Sequence, residues 1–488
     1  MKRVLSFLTI LLVVITVNAQ DFMTQLDKDY KDFMEPAISK RRIKHSDVSA
    51  LVEKVKEMKG VEVNTVGHSI EGRPLYLISL GKGDTDVFLW SQMHGDESTA
   101  TMAIFDILNF FEAGSYKKEK REMLKNLRIH FLPMLNPDGA ELFTRRNRLG
   151  IDINRDALRL QSPESKTLKR VRDSLDADFG FNLHDQSRYY NANLTAKPAT
   201  VSYLAPAYNY EKEINETRGD AMKIIVLMND VLQHYVPGQV GRYNDDFEPR
   251  AFGDNIQKWG TSTILIESGG TYEDREKQEI RKLNFVSILT ALSAIADESF
   301  KDIPVDRYFE IPNNDRKLFD LKLTGLTYDL LGEEYILDVG FYQFEKDNEA
   351  HSDYFIAAGI GDLGDLSTFY GYETINAEGL KYVPAKAYPA TLKTVDDAKA
   401  LAHHELIKKG YGYLQVNNIP KDLNNVALPM HLVTPGTTPD FEIRIGNNPS
   451  FFLADQNGVL KYYVYNGYLI DMKSLKNAMV PGNALIVR

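Results

Sequence analysis

Between Val61 and about Ala296, short apolar runs alternate with longer stretches of helical periodicity. VFLWSQ (87–92) precedes STATMAIFDILNFF, and LRIHFLP (127–133) precedes the turn Asn136-Pro137-Asp138-Gly139. DFGFNL (178–183) and STILI (262–266) are further strands, and REKQEIRKLNFVSILTALSAIADE reads as a closing helix. Runs that are apolar at nearly every position belong to strands buried on both faces. Their alternation with helices predicts an α/β fold with a mixed, largely parallel sheet. Upstream, Leu51, Val52, Val55 and Met58 lie at helical spacing in a charged stretch, which predicts surface helices over 21–60. Downstream, Pro304, Pro312, Asn313 and Asn314 mark a linker. Beyond it YILDVGFYQF, DYFIAAG, FEIRI and KYYVYNG alternate as strands do, interrupted by one helical stretch, TVDDAKALAHHELIKKG. Residues 301–488 therefore read as a β-rich region of one or two domains.

The first twenty residues break this pattern. Lys2 and Arg3 precede an apolar stretch from Val4 to Val17, followed by Asn18-Ala19. The stretch falls short of the roughly 20 residues of a spanning helix, so it reads as a cleaved signal peptide, 1–19. The expected organisation is that signal, a catalytic domain over 20–300 and an accessory region over 301–488. Export to the periplasm or the extracellular space follows, without a transmembrane anchor.

Composition narrows the chemistry. The 488 residues carry 58 Lys plus Arg against 68 Asp plus Glu; without Lys2 and Arg3 the count is 56 against 68, a net charge of −12. Such a surface does not favour nucleic acid or anionic lipid. The chain has no cysteine, which excludes disulfides, thiolate metal sites and a cysteine nucleophile. Any metal must sit on nitrogen and oxygen.

Three strand runs end in residues suited to that task. VFLWSQ leads to His94-Gly95-Asp96-Glu97, DFGFNL to His184-Asp185, and STILI to Glu267. In open α/β sheets the carboxyl ends of strands line the active crevice, so these residues can converge. His94, at a strand end, and Glu97, opening a helix, can reach one ion. With His184 they form the three-ligand open set of catalytic zinc, one Zn2+ ion, and Glu267 is placed to deprotonate water. From Arg145 to Arg159 there are five arginines and two acids, a basic cluster in an acidic chain that suits an anionic substrate group. His403-His404-Glu405 lacks the spacing of a zinc motif and reads as a solvated helix face.

In this combination the sequence resembles the zinc carboxypeptidases of the carboxypeptidase A type. The matching pieces are VGHSIEGRPLYLISLG (66–81), His94 to Glu97, NPDG (136–139), TRRNRLGIDINRD (144–156), NLHDQ (182–186) and IES (266–268). The resemblance covers about 45–297. It implies an α/β/α sandwich, with His94, Glu97 and His184 as zinc ligands and Glu267 as the general base. It further implies Asp152 as the carboxylate orienting His94, and Asn154 with Arg155 as the grip on the terminal carboxylate. Arg145, with Arg146 and Arg148 close by, matches the arginine that stabilises the oxyanion. Tyr243 is the candidate for the mobile capping tyrosine.

The activity implied is hydrolysis of the last peptide or amide bond of a substrate with a free carboxylate. Residues near Ala251 to Asn255 would line the specificity pocket, where Asp254 would select basic C-terminal residues if it faces the ligand. Two other readings stay open at this level. One is a zinc amidase or deacylase acting on cell-wall peptides or acylated amino acids. The other is a non-catalytic secreted binding protein that presents its C-terminal region. The sequence leaves the oligomeric state undetermined.

Overall fold

The computed structural model describes residues 22–475 and 483–488; the signal-peptide segment, 1–19, lies outside the described residues. The chain forms two compact units, the first ending at Arg316 and the second running from Lys317 to Arg488.

The first unit is built on an eight-stranded sheet. Its strands are β1 (Val61–His68), β2 (Pro74–Gly81), β3 (Thr85–Ser91), β4 (Leu127–Leu132), β5 (Phe179–Asp185), β7 (Val201–Leu204), β8 (Val240–Arg242) and β9 (Ser262–Ser268). β6 (Asn191–Ala192) and β10 (Asn314–Asp315) form a separate short ribbon. The sheet order is β1-β2-β4-β3-β5-β9-β7-β8. The centre, β4-β3-β5-β9, is parallel, whereas β1, β2 and β7 pair antiparallel with their inner neighbours.

β3 shows why the sheet needs helices on both sides. Val87 and Leu89 join one apolar cluster, with the helices Thr99–Glu112, Glu216–Tyr235 and Gln278–Ala296. Phe88 and Trp90 point the other way, into a second cluster with the helices Pro163–Leu175 and Phe252–Lys258. Alternate residues of one strand are therefore buried on opposite faces, and the unit is an α/β/α sandwich.

The order also places the site. After β3 the chain adds β4 on one side and then β5 on the other, so a crevice opens at the carboxyl ends of β3 and β5. Two helices of the first cluster, Thr99–Glu112 and Gln278–Ala296, are locked together by a fully buried ion pair, Asp106 with Arg281. Asp106 also accepts from the Tyr30 hydroxyl (2.8 Å) and the Glu35 amide (2.7 Å), which fastens the N-terminal arm.

The division between units falls at 316, beyond the linker read at 301–314. The intervening residues pack on the first unit: the Pro312 carbonyl accepts the Arg242 amide at 2.7 Å, the Tyr308 hydroxyl accepts the Ala205 amide at 3.2 Å, and β10 pairs with β6.

The second unit is β-rich. Among the described residues an eight-stranded sheet carries the long hairpin Leu318–Leu330 with Glu333–Asp347, and a smaller sheet pairs Tyr411–Asn418, His431–Val433 and Ala484–Val487 in parallel. Two local expectations fail. The single helix read over 394–410 is two five-residue helices, Val395–Lys399 and His403–Ile407. FEIRI (441–445) is irregular, because the Asp440 carboxylate accepts from the Glu442 amide and the Asn447 side chain and turns the chain there.

Candidate active site

The turn from β3 to the helix Thr99–Glu112 builds one wall. Gln92 adopts φ +52°, a left-handed conformation that a glutamine holds only when its surroundings compensate. Its fully buried side chain donates to the Gly95 carbonyl at 2.9 Å and accepts from the Thr101 hydroxyl at 3.0 Å. Gly95 passes so close to the next turn that a Cβ there would lie 2.1 Å from the Gly139 carbonyl carbon. That next turn is the NPDG segment. Asn136 caps it by accepting the Gly139 amide, and Asp138 takes the Ser69 hydroxyl (2.7 Å) and the Glu71 amide (3.0 Å) from the entry segment. Glu97 lies in the turn two residues before the helix rather than in its first turn.

His94, Glu97 and His184 are brought together as read from the sequence. Their donor atoms lie within 4.8 Å of one another. Glu97 Oε1 is 2.7 Å from His94 Nδ1, and its Oε2 is 2.7 Å from His184 Nδ1. All three side chains are buried, at 2%, 8% and 3% exposure. Behind them, Asp152 Oδ1 is 3.1 Å from His94 Nε2, and Arg145 Nε donates to Asp152 Oδ2 at 3.0 Å.

This arrangement is one that could hold a metal ion. With Nε2–H directed to Asp152, His94 presents the Nδ1 lone pair toward Glu97 Oε1, with Arg145 Nη1 at 3.1 Å from the same nitrogen; a proton or a metal ion between imidazole and carboxylate makes that contact attractive. Burial works against charge on His94, yet Glu97 and Asp152 outweigh it and lift its pKa to about 9. Burial likewise opposes charge on Glu97, and the two imidazoles override it and hold the carboxyl far below its usual range. His184 Nε2 is buried without a partner among the described residues, and Nδ1 is the nitrogen that meets Glu97. Two imidazoles and a carboxylate, without sulfur, are a donor set that fits zinc.

Glu267 follows from strand register. β5 and β9 are parallel neighbours and His184 pairs with Glu267, so both side chains stand on the same face. No hydrogen bond to the Glu267 carboxyl is found among the described residues. Burial, then the charge of Glu97, pushes its pKa well above the ordinary value. A half-buried acid with a raised proton affinity beside a candidate metal site is equipped to exchange protons.

A cleft of about 420 Å³ collects His94, Glu97, Arg145, Asn154, Arg155, His184, Tyr243 and Glu267, with Asp152 just behind its wall. Of the three neighbouring arginines, only Arg145 lines it. Arg146 donates to the Gly150 carbonyl and faces a separate hollow, and Arg148 pairs with Glu71 at 2.6 Å. Asn154 Oδ1 accepts the Phe252 amide at 2.9 Å, which leaves its NH2 as the donating end. Arg155 donates to the Asn154 carbonyl at 2.8 Å and approaches Glu248 at 3.5 Å. Tyr243 packs against Tyr190, ring centroids 5.8 Å apart, and burial and Glu267 raise its phenol pKa.

Asp254 also faces the cleft, as does Asn182, two residues before His184 on the same face of β5. Asn182 is almost fully buried with Oδ1 unpartnered, and Asp254 Oδ1 accepts the Glu248 amide at 3.0 Å. Asn182 escaped the sequence reading although its place in NLHDQ, alternating with His184, was the available signal.

Comparison with known proteins agrees with the motifs. Residues 48–218, just over a third of the chain, match the zinc carboxypeptidase family model. Carboxypeptidase SOL1 of Arabidopsis thaliana is 28% identical over 177 residues, covering 30% of this chain and 35% of its own length. The carboxypeptidase N catalytic chain of Homo sapiens is 28% identical over 138 residues, 24% of this chain and 30% of its own. The chain thus spans about a third of these curated relatives. Among solved structures, a metallo-carboxypeptidase from Burkholderia cenocepacia superposes with TM-score 0.42 and 17% identity, over 52% of this chain and 69% of its own. A metallo-carboxypeptidase from Pseudomonas aeruginosa gives TM-score 0.40 and 18% identity over 52% and 69%.

Zinc added to metal-free protein should stabilise it by about 2.7 kcal/mol at a free concentration a hundredfold above Kd. Glu97→Ala, which removes both shared oxygens, should abolish the thermal shift; an undiminished shift in that variant would locate the metal elsewhere.

Proposed function

We propose that this chain is a zinc-dependent metallocarboxypeptidase that removes the C-terminal residue of peptides with a free carboxylate. The observation that carries the proposal is the in-register placement of Glu267 beside the buried His94, Glu97 and His184 group, opposite Asn154 and Arg155 in one cleft.

His94, Glu97 and His184 would hold the ion. Zinc supplies a Lewis acid that polarises the scissile carbonyl and makes water acidic enough to attack at neutral pH. Glu267 takes the proton from the attacking water and delivers it to the leaving amine, a task suited to its raised pKa. Arg145, braced by Asp152, offers its guanidinium to the negative charge that develops on the carbonyl oxygen. The same Asp152 fixes the His94 ring, so one carboxylate orients both groups. The Asn154 amide and the Arg155 fork bind the terminal carboxylate, and Tyr243 closes over the occupied cleft.

The side-chain pocket favours a basic residue. Leu204, Pro206, Ala251 and Leu265 give it apolar walls, while Asn182 Oδ1 and Asp254 supply acceptors. Lysine or arginine presents an alkyl stem to the walls and donors to those acceptors. Export to the periplasm or beyond completes the proposed setting; among the described residues no helix is long and apolar enough to cross a membrane.

Glu267→Gln should retain zinc and substrate binding while kcat falls by at least about a hundredfold; near-normal turnover would refute the role of Glu267 as base. Burial lifts Asp254 to a pKa of about 7, so it is neutral below that pH and charged above it. The ratio of kcat/KM for lysine-terminated over leucine-terminated peptides should therefore rise several-fold from pH 6 to 8. Asp254→Asn should flatten that rise, and a pH-independent ratio in the unaltered protein would exclude Asp254 as the selecting group.

A further inference from the structure

Behind the cleft lies a buried lysine that the catalytic scheme does not use. Lys277 is 8% exposed and immediately precedes the helix Gln278–Ala296. Its backbone is held in the left-handed region, φ +53°, with its amide donating to the Asp274 carbonyl. Asp274 in turn accepts the amides of Gln278 and Glu279 and so pins the start of the helix. The lysine stem leaves a fixed point.

Its ammonium group reaches two acceptors. Nζ donates to Asp185 Oδ2 at 3.0 Å and to the Ser268 carbonyl at 2.8 Å. Asp185 ends β5, one residue after His184; Ser268 ends β9, one residue after Glu267. The Ser268 carbonyl also accepts the Gln186 amide at 2.9 Å, so the two strand ends are fastened to each other at the same atom. Asp185 Oδ2 takes in addition the hydroxyl of Thr99, at 2.6 Å, from the first residue of the helix that follows Glu97. The Asp185 amide itself donates to Glu97 Oε2 at 3.2 Å. Through one cation, the segments bearing Glu97, His184 and Glu267 are joined at their carboxyl-end face.

We propose that Lys277 is a positioning residue that sets the distance between Glu267 and the His94, Glu97 and His184 group. Every group it binds is adjacent in sequence to one of those side chains or to the helix that follows them, and none is substrate. Without the ammonium, Asp185 Oδ2 retains Thr99 while its Oδ1 has no partner among the described residues, and beyond the last ladder pair β5 and β9 are left joined by the Gln186 amide alone. An error of even an ångström in the placement of a catalytic base costs turnover far more than binding.

This inference rests on the reading of the site as a metal-dependent hydrolase. The test uses the full chain loaded with zinc and compares Lys277→Met, which keeps the stem, with Lys277→Arg, which keeps the charge. Lys277→Met should lower kcat by about ten- to a hundredfold with KM nearly unchanged. Lys277→Arg should recover most of the loss. In Lys277→Met the Gln186 amide should also exchange hydrogen faster, with or without zinc, while the amides of central β3 keep their protection. Unchanged kcat in Lys277→Met would overturn the proposal, as would an equal loss in both variants with Gln186 exchange unaltered. If the unaltered protein hydrolyses no peptide, the functional reading fails by itself; zinc affinity and Gln186 exchange then decide, and values unchanged in Lys277→Met refute the anchoring. Should Lys277→Met not fold, Asp185→Ala removes the side-chain acceptor of the ammonium and is held to the same kcat and Gln186 exchange criteria.

Discussion

Everything in the first unit answers to one constraint: a single carboxylate, Glu97, buried at the edge of the cleft, faces two imidazole Nδ1 atoms at 2.7 Å. Burying three polar groups in mutual contact is unfavourable unless a positive charge joins them. The surrounding structure keeps the three from relaxing apart. Gln92 holds a strained conformation, Gly95 yields its side chain so that the NPDG turn can pass, and Asp152 fixes the outer nitrogen of His94. The sheet contributes the rest: register brings Glu267 beside His184, and Lys277 binds both strand ends just beyond them.

Charge is distributed to match. Asp185, Glu97 and Glu267 stand close together, and each of the first two has a stated counterpart, Lys277 for Asp185 and the imidazoles for Glu97. Glu267 has no ion pair among the described residues, and burial, then the charge of Glu97, raises its proton affinity. In the proposed mechanism this asymmetry separates a group that binds from a group that moves protons, although both are glutamates in the same cleft. Arg145 sits between the roles, tied to Asp152 by its inner edge while its side chain remains 43% exposed toward the cleft.

Much of this was legible in the chain before folding. Apolar runs at 87–92, 178–183 and 262–266 are strands because both their faces are covered, and polar residues at their ends converge because the strands are parallel neighbours. What stayed hidden depends on tertiary packing. Lys277 lies in the charged start of the stretch read as a closing helix, three residues into it, whereas the helix begins at Gln278, and nothing local reveals that its ammonium turns inward. Gln92 looks like an ordinary strand end until its φ is known. The choice among Arg145, Arg146 and Arg148 required knowing that Glu71 and the Gly150 carbonyl occupy the other two. Residues 301–316 carry linker composition, but their backbone groups find partners on Arg242 and β6, so they complete the first unit instead of leaving it.

The central claim is that His94, Glu97 and His184 together hold one zinc ion. X-ray absorption at the zinc edge of the dialysed, zinc-loaded protein tests it most directly. The account predicts one equivalent of zinc with two imidazole nitrogens and carboxylate oxygen at about 2.0 to 2.2 Å. A coordination shell lacking imidazole, or protein that retains no zinc after dialysis, would contradict it.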